Sequence, residues 1–393
     1  MVALENLSAA LQNIDLNSFA NEGDRARAED LLLNALERVR SPWDIAWNHN
    51  WVNPATNGAV KTLIDAGVFT KWVEIGGGPR TSVELAALTD TDPKLIKRLV
   101  RHLAAQHLLV EVAEDTYKST SWATTLGTDP SFPALYGTLY HDITTVVFGG
   151  MPPFLKRTGY KNPIDDKDGV IQHLFGPEAS FFDYVVSDPG RNKEFTQSME
   201  CHSKGNMTAW PDVYPTDILL EGAKPGRPLV VDVGGSKGHD LEKFHLKHPE
   251  IPDGSLVLQD LPAVLEGVEV TKTAISKHPY DFFTPQPVKG ARAYFLHTVL
   301  HDWPDDSAAR ILRNVADAME KGYSKVLVHE VMVESVRPSP RTTTSDLTML
   351  ACGSSAERTV KEWDALISTA GMKVVKIWKQ PAAIEGVIEA ELA

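Results

Sequence analysis

The stretch YFLHTVLHDWPDD, Tyr294 to Asp306, carries the residues best placed for proton chemistry. An apolar, strand-like run from Ala293 to Leu300 gives way to His301-Asp302-Trp303, and a helical pattern follows. A titratable imidazole at the carboxyl end of a strand in an α/β sheet sits where such folds do their chemistry, and it exchanges protons near neutrality. Upstream, LVVDVGGSKGHDL, Leu229 to Leu241, reads as strand, glycine turn and helix. Asp232 falls at the strand end, and Gly234, Gly235 and Gly238 allow a sharp turn and a close approach of a ligand to backbone. The helix N-terminus that follows favours anionic or polar ligand groups. Together the two motifs point to a small-molecule enzyme with a nucleotide-like cofactor and a histidine base.

Further cofactor candidates lie at neighbouring strand ends. Asp260-Leu261 ends the strand of LVLQDLP, and a carboxylate there can accept hydrogen bonds from both hydroxyls of a ribose. Asp260 is equally suited to cap the helix after it, and the two roles are compatible. Asp281-Phe282 ends the next strand-like segment and offers a polar contact and a ring face to a purine. The glycine turn is not the G-x-G-x-x-G of dinucleotide-binding folds. Asp302 has a purely local alternative, as cap of the helix expected from about Pro304.

The elements that must position these groups are legible from periodicity. Strands are expected at 229–233, 255–259, 293–298 and 324–330, and helices at 238–247, 261–268, 305–320 and 361–370. Buried apolar strands alternating with helices imply a parallel sheet covered on both faces, with MKVVKIWKQ and AAIEGVIEAEL as a β-rich tail. Residues 56–120 read as helix, helix, helix and hairpin, the winged-helix order. Within them Thr81 and Glu84 form a capping box, and Asp92-Pro93 opens the third helix. Lys94, Lys97, Arg98 and Arg101 on that helix read as a solvated face rather than a DNA contact. An amphipathic helix over Ala26 to Val39 needs a surface to pack on. Residues 121–225 are helical and rich in aromatics and methionine, including Phe181, Met199, Met207 and Trp210, which suit either core or an apolar pocket wall. The expected domains are 1–125, 126–225 and 226–393.

Composition excludes several classes. The chain has 393 residues, and a net charge of −13 argues against a general nucleic-acid or anionic-membrane binder. Two cysteines, Cys201 and Cys352, provide no disulfide framework and no thiolate metal site. No signal peptide or membrane-spanning run is read, so the expected setting is cytoplasmic. No metal-ligand spacing occurs, so the expected metal is none and chelators are expected to leave activity unchanged.

VDVGG…G, LQDLP, the Asp281-Phe282 pair and HDW, in that order, with AERT-x-x-EW from Ala356 to Trp363, resemble the plant-type and fungal O-methyltransferases. The resemblance covers nearly the whole chain. It implies a Rossmann-like class I methyltransferase domain behind an N-terminal helical and winged-helix dimerisation domain. It also implies S-adenosylmethionine as cofactor, a homodimer, and transfer of methyl to a phenolic or enolic hydroxyl of a fungal-type secondary metabolite. By the same resemblance His301 is the general base, flanked by Glu330 and Glu357 on the family's acidic positions, and His297 lies where members carry a basic residue near the cofactor. Phe181, Met199, Trp210, Asp302 and Met349 are the candidates for substrate contacts. Ser236 departs from the family, where another glycine is common. Some fungal proteins resembling this family use the same pocket for pericyclic or dehydration reactions on polyketide-derived alkaloids. In that rival reading His301 is a hydrogen-bond donor or His141 a base.

Overall fold

The structure, a computed structural model, describes residues 2–15, 17–206, 208–269, 272–381 and 383–393, without the side chains of 2, 3 and 203–206. It divides into two compact units, Met1–Ile143 with Pro189–His202, and Thr144–Asp188 with Ser203–Ala393. The expected middle region, 126–225, is therefore not a body of its own, and its residues are shared between the two.

The first unit is built on helices Asn53–Asp65, Val68–Glu74, Ser82–Leu88 and Pro93–Ala105. Between and after them run strands β1 (Arg80–Thr81), β2 (Leu109–Ala113) and β3 (Thr116–Ser119), which pair antiparallel in the order β1-β3-β2. The expected start signals operate here. Thr81 and Glu84 form a reciprocal capping box, and the Asp92 carboxylate accepts from Lys94 and Leu95 N–H. Apolar faces of the four helices close over Trp72, Phe69, Leu103 and Tyr117. The basic face of Pro93–Ala105 is solvated, with Lys97 3.5 Å from Asp115.

The second unit carries an eight-stranded sheet. Its strands are β4 (Val230–Val233), β5 (Leu256–Asp260), β6 (Ile275–Pro279), β7 (Ala293–His297), β8 (Lys325–Val333), β9 (Arg358–Thr359), β10 (Met372–Trp378) and β11 (Glu385–Leu392). The order is β10-β11-β8-β7-β4-β5-β6, with β9 beside β8. Strands β6, β5, β4, β7 and β8 are parallel, whereas β11 and β10 add antiparallel at the edge, so the tail makes the sheet mixed. Chain order reverses between β4 and β7, and the loops at their carboxyl ends face the crevice where open α/β sheets bind ligands. The expected helix 305–320 stops at Ala316, 261–268 shortens to Pro262–Leu265, and an unexpected helix, Pro340–Gly353, separates β8 from β9.

Candidate active site

His301 lies in the single turn Leu300–Asp302 that follows β7. The turn is bolted to the sheet by Glu330 of β8, whose Oε1 accepts backbone N–H from Val299 (3.0 Å), Leu300 (2.8 Å) and His301 (3.4 Å). Thr298 reaches this turn at φ +50°, a left-handed conformation rare for a β-branched residue and typical of strained functional loops. From the other side Glu357, just before β9, places Oε1 3.0 Å from His301 Nδ1. That oxygen also accepts from Ser345 Oγ at 2.6 Å, and Glu357 N–H donates to Asp346 Oδ1 at 3.0 Å. Arg358 then ties the segment back, donating to Asp305 and to the carbonyls of Leu300 and Trp303.

A carboxylate only accepts, so the Nδ1 site of His301 carries the hydrogen and Nε2 is the atom left for chemistry. Asp302 Oδ1 stands 3.6 Å from Nε2. Burial opposes charge on the ring, but Glu330, Asp302 and Glu357 outweigh it and raise the His301 pKa to about 10. Glu330, wholly buried, is pushed up to about 7, chiefly by its burial. Asp302 is raised as well, again by burial first. The cluster thus holds a proton tightly at rest. Asp302 does not cap the helix Asp305–Ala316, which starts behind Pro304 without a side-chain cap.

The glycine turn forms the second half of the crevice. Gly234 has φ +78°, and a Cβ there would come within 2.9 Å of Val299. A Cβ on Gly235 would lie 2.4 Å from the Asp232 carboxyl carbon, so the missing side chain is the space that the carboxylate occupies. Asp232 is buried, its Oδ2 has no hydrogen-bond partner, and burial and Asp240 hold its pKa well above the usual carboxylate range. Ser236 adopts φ +51°, the conformation a glycine would take freely, and its N–H donates to Asp260 Oδ2 at 2.8 Å. Leu261 N–H donates to Asp260 Oδ1 at 2.7 Å, so Asp260 braces the turn and keeps lone pairs for a ligand diol. Gly238, at φ +81°, opens the helix His239–Lys247. Asp281 accepts from Phe283 N–H, and Phe282 packs edge-on against Phe283 and Trp303. Phe282 also approaches Gly234, within 3.7 Å of where its Cβ would be. Leu261 is 49% exposed at the lip. An orphaned buried carboxylate oxygen, a braced strand-end aspartate and an apolar lip suit a ligand with an ammonium group, a ribose and a purine.

Other expected residues fall elsewhere. Trp210 is wholly buried, stacked on Phe244 and Phe295, with its indole N–H donated to the Asp240 carbonyl, so it belongs to the core and not to a substrate wall. His297 bonds Asp240 through Nδ1 at 2.6 Å, and its buried Nε2 faces Glu385 at 3.8 Å, beyond hydrogen-bond reach. Phe181 packs on the cluster of Val147, Ile171 and Ala351, and Met349 lies on the same Pro340–Gly353 helix as Ala351. Met199 and His141 belong to the first unit, and Met207 lies outside the described residues. Ser345 and Asp346 have no place in the sequence reading, and Arg358 entered it only as a letter of the AERT segment, with no role given. Only the AERT segment pointed toward them.

The O-methyltransferase domain family model matches residues 161–373. The O-methyltransferase mfmE of Annulohypoxylon moriforme is 40% identical over 99% of this chain and 96% of its own. Among solved structures, LepI in complex with SAM aligns over 100% of this chain and 98% of its own, at 25% identity and a TM-score of 0.86. A structure described as a pericyclic reaction enzyme aligns over 100% and 99%, at 25% identity and a TM-score of 0.85.

Proposed function

The chain belongs to the O-methyltransferase family, and from that premise we propose that it methylates a phenolic or enolic hydroxyl of a polyketide-derived or other aromatic secondary metabolite, with His301 as general base. One observation carries this reading: Glu357 fixes His301 through Nδ1 and is itself held by Ser345, so Nε2 is the free atom beside Asp302. The cofactor, S-adenosylmethionine, supplies an electrophilic methyl on a positively charged sulfur, a charge that also favours a neutral imidazole nearby. Asp260 would hold its ribose, Phe282 and Leu261 its purine, and Asp232 its ammonium end. Glu330 and Glu357 stabilise the imidazolium formed when Nε2 takes the substrate proton. Phe181 and Met349 offer apolar surface for a flat acceptor. The remaining demand is alignment of oxygen, methyl and sulfur. Incubation with methyl-labelled cofactor and a panel of phenols and enols tests this. Label is expected on an acceptor oxygen, and cofactor binding without any transfer would refute it.

The rival reading draws on the raised pKa of His301. A ring protonated at rest is a hydrogen-bond donor, which suits pericyclic or dehydration catalysis without methyl transfer. The two readings part in their pH dependence, as set out below.

Asp260→Ala is expected to weaken cofactor binding about 10- to 100-fold, because up to two hydrogen bonds to a charged acceptor are lost. Calorimetry measures this, and unchanged affinity would remove the ribose from Asp260.

The chain is further proposed to act as a homodimer. The helix Glu22–Val39 buries no residue, and Leu31, Leu32, Leu33 and Leu36 along it are exposed, as are Trp43, Trp47 and Trp51 just beyond. Such a surface marks a protein interface. Sedimentation is expected to give a dimer; a monomer at micromolar concentration would overturn it. No helix among the described residues is long and apolar enough to cross a membrane.

A further inference from the structure

We propose that His297, His329 and Glu385 form a closed binding site for a divalent transition-metal ion, zinc above all, at the carboxyl end of β7 and with ligands separate from those of the His301 turn. His297 and His329 are register partners on the parallel strands β7 and β8. Val387 of β11 pairs with His329, and Glu385 lies two residues before it, so all three side chains share one face of the sheet. Their side chains are 8%, 0% and 2% exposed. Glu385 Oε2 lies 3.8 Å from His297 Nε2 and 3.7 Å from His329 Nε2, and one donor atom from each residue lies within 4.8 Å of the other two.

These separations are too long for hydrogen bonds and suit ligands sharing one ion. An ion about 2.0–2.2 Å from each donor at tetrahedral angles sets neighbouring donors roughly 3.3–3.6 Å apart, a few tenths of an ångström closer than these atoms now stand. None of the facing atoms is otherwise engaged. His297 Nε2, both nitrogens of His329 and both oxygens of Glu385 are buried and have no hydrogen-bond partner. A bidentate Glu385 would supply the third and fourth donors of a four-coordinate site. The outer contact is also in place. His297 Nδ1 is bonded to Asp240 at 2.6 Å, the carboxylate–histidine arrangement that fixes the tautomer of a metal-bound imidazole. The His297 and His329 rings lie stacked, 4.2 Å between centroids and 19° between planes, so binding one ion requires His329, which no hydrogen bond holds, to turn its ring toward the ion. The same face continues into apolar core, with Phe295, Leu327, Val387 and Phe244, which offers these atoms no donors.

Two imidazoles and one carboxylate in a closed pocket select a late first-row divalent ion over calcium or magnesium. The second trio, His301, Glu330 and Glu357, lies equally close, but its imidazole Nδ1 already bonds Glu357 Oε1 and Glu330 Oε1 holds the backbone, so among its carboxylate oxygens only the two Oε2 atoms lack a partner. Spacing along the chain cannot reveal the site, because its ligands come from three different strands.

The test uses the full-length chain, expressed with zinc and desalted into metal-free buffer, with metal counted by mass spectrometry. About one zinc per chain is expected, and cobalt in its place should give the visible absorption of a four-coordinate ion. Added zinc should raise the melting temperature of the metal-depleted chain. Glu385→Gln and His329→Asn should each cut bound zinc at least about tenfold with the circular dichroism retained. Zinc well below one per chain with no cobalt band and no thermal shift would overturn the proposal, as would zinc retained by both variants. If the variants fail to fold, the wild-type stoichiometry and cobalt spectrum decide.

Discussion

His301→Ala is expected to lower the turnover of methyl transfer by about 10²- to 10⁴-fold, the range a positioned general base contributes. The cofactor affinity should stay within about twofold, because His301 makes no contact with the glycine turn or Asp260 in the described hydrogen bonds. The substitution leaves Glu330 and Glu357 facing each other without their cation. Glu330, already raised by burial, is then expected to take up a proton rather than unfold the turn, since its Oε1 keeps the backbone donors Val299 and Leu300. A separate measurement of cofactor heat therefore distinguishes lost chemistry from lost binding. Equal losses in both would place His301 in cofactor binding instead.

The pH dependence should carry the second large effect. Glu330, Asp302 and Glu357 raise His301 to about 10 against the opposing effect of burial. A base must be neutral to accept a proton, so below that value the competent fraction rises about tenfold per pH unit. kcat/KM for the acceptor is expected to climb from pH 6 upward, with a limb displaced below 10 by the charge of the bound cofactor. Glu330→Gln removes the leading attraction for the ring proton, 3.8 Å away. The His301 pKa then falls, and the limb moves to lower pH by about 1 to 3 units. At neutral pH more enzyme is in the basic form, partly offset by a weaker base. If His301 instead acts as an imidazolium donor, activity is lost as pH rises, and Glu330→Gln brings that loss to lower pH. The sign of the slope separates the two readings.

Sequence alone shows much of this site where one residue's neighbours in the chain are also its neighbours in space. The strand ends at Asp232 and Asp260, the Thr81 capping box and the Asp92 cap are all local signals, and each forms as expected. The strand before His301, by contrast, stops at His297 and leaves His301 in the turn that follows. Residues brought together across strands leave no such trace. Ser345 and Asp346 sit in a polar helix, TTTSDLTML, whose pattern lacks an apolar stripe, so neither the helix nor its support of Glu357 was visible. His297 was assigned to the cofactor by resemblance, yet Asp240 from the helix after β4 takes its Nδ1 and Glu385 from the last strand faces its Nε2. Trp210 illustrates the opposite error. An aromatic beside a proline-rich bend reads equally as wall or core, and only the stacking of Phe244 and Phe295 decides for core.

Proton transfer at Nε2 of His301 is tested most directly by varying the acidity of the acceptor. A series of phenols with pKa values from about 7 to 10 would be methylated by the wild type and by His301→Ala at one pH. If His301 takes the proton, the variant should recover most of its rate on the most acidic phenols, which arrive already ionised, while the wild type varies little across the series. A variant equally impaired on every phenol would contradict a base at this position.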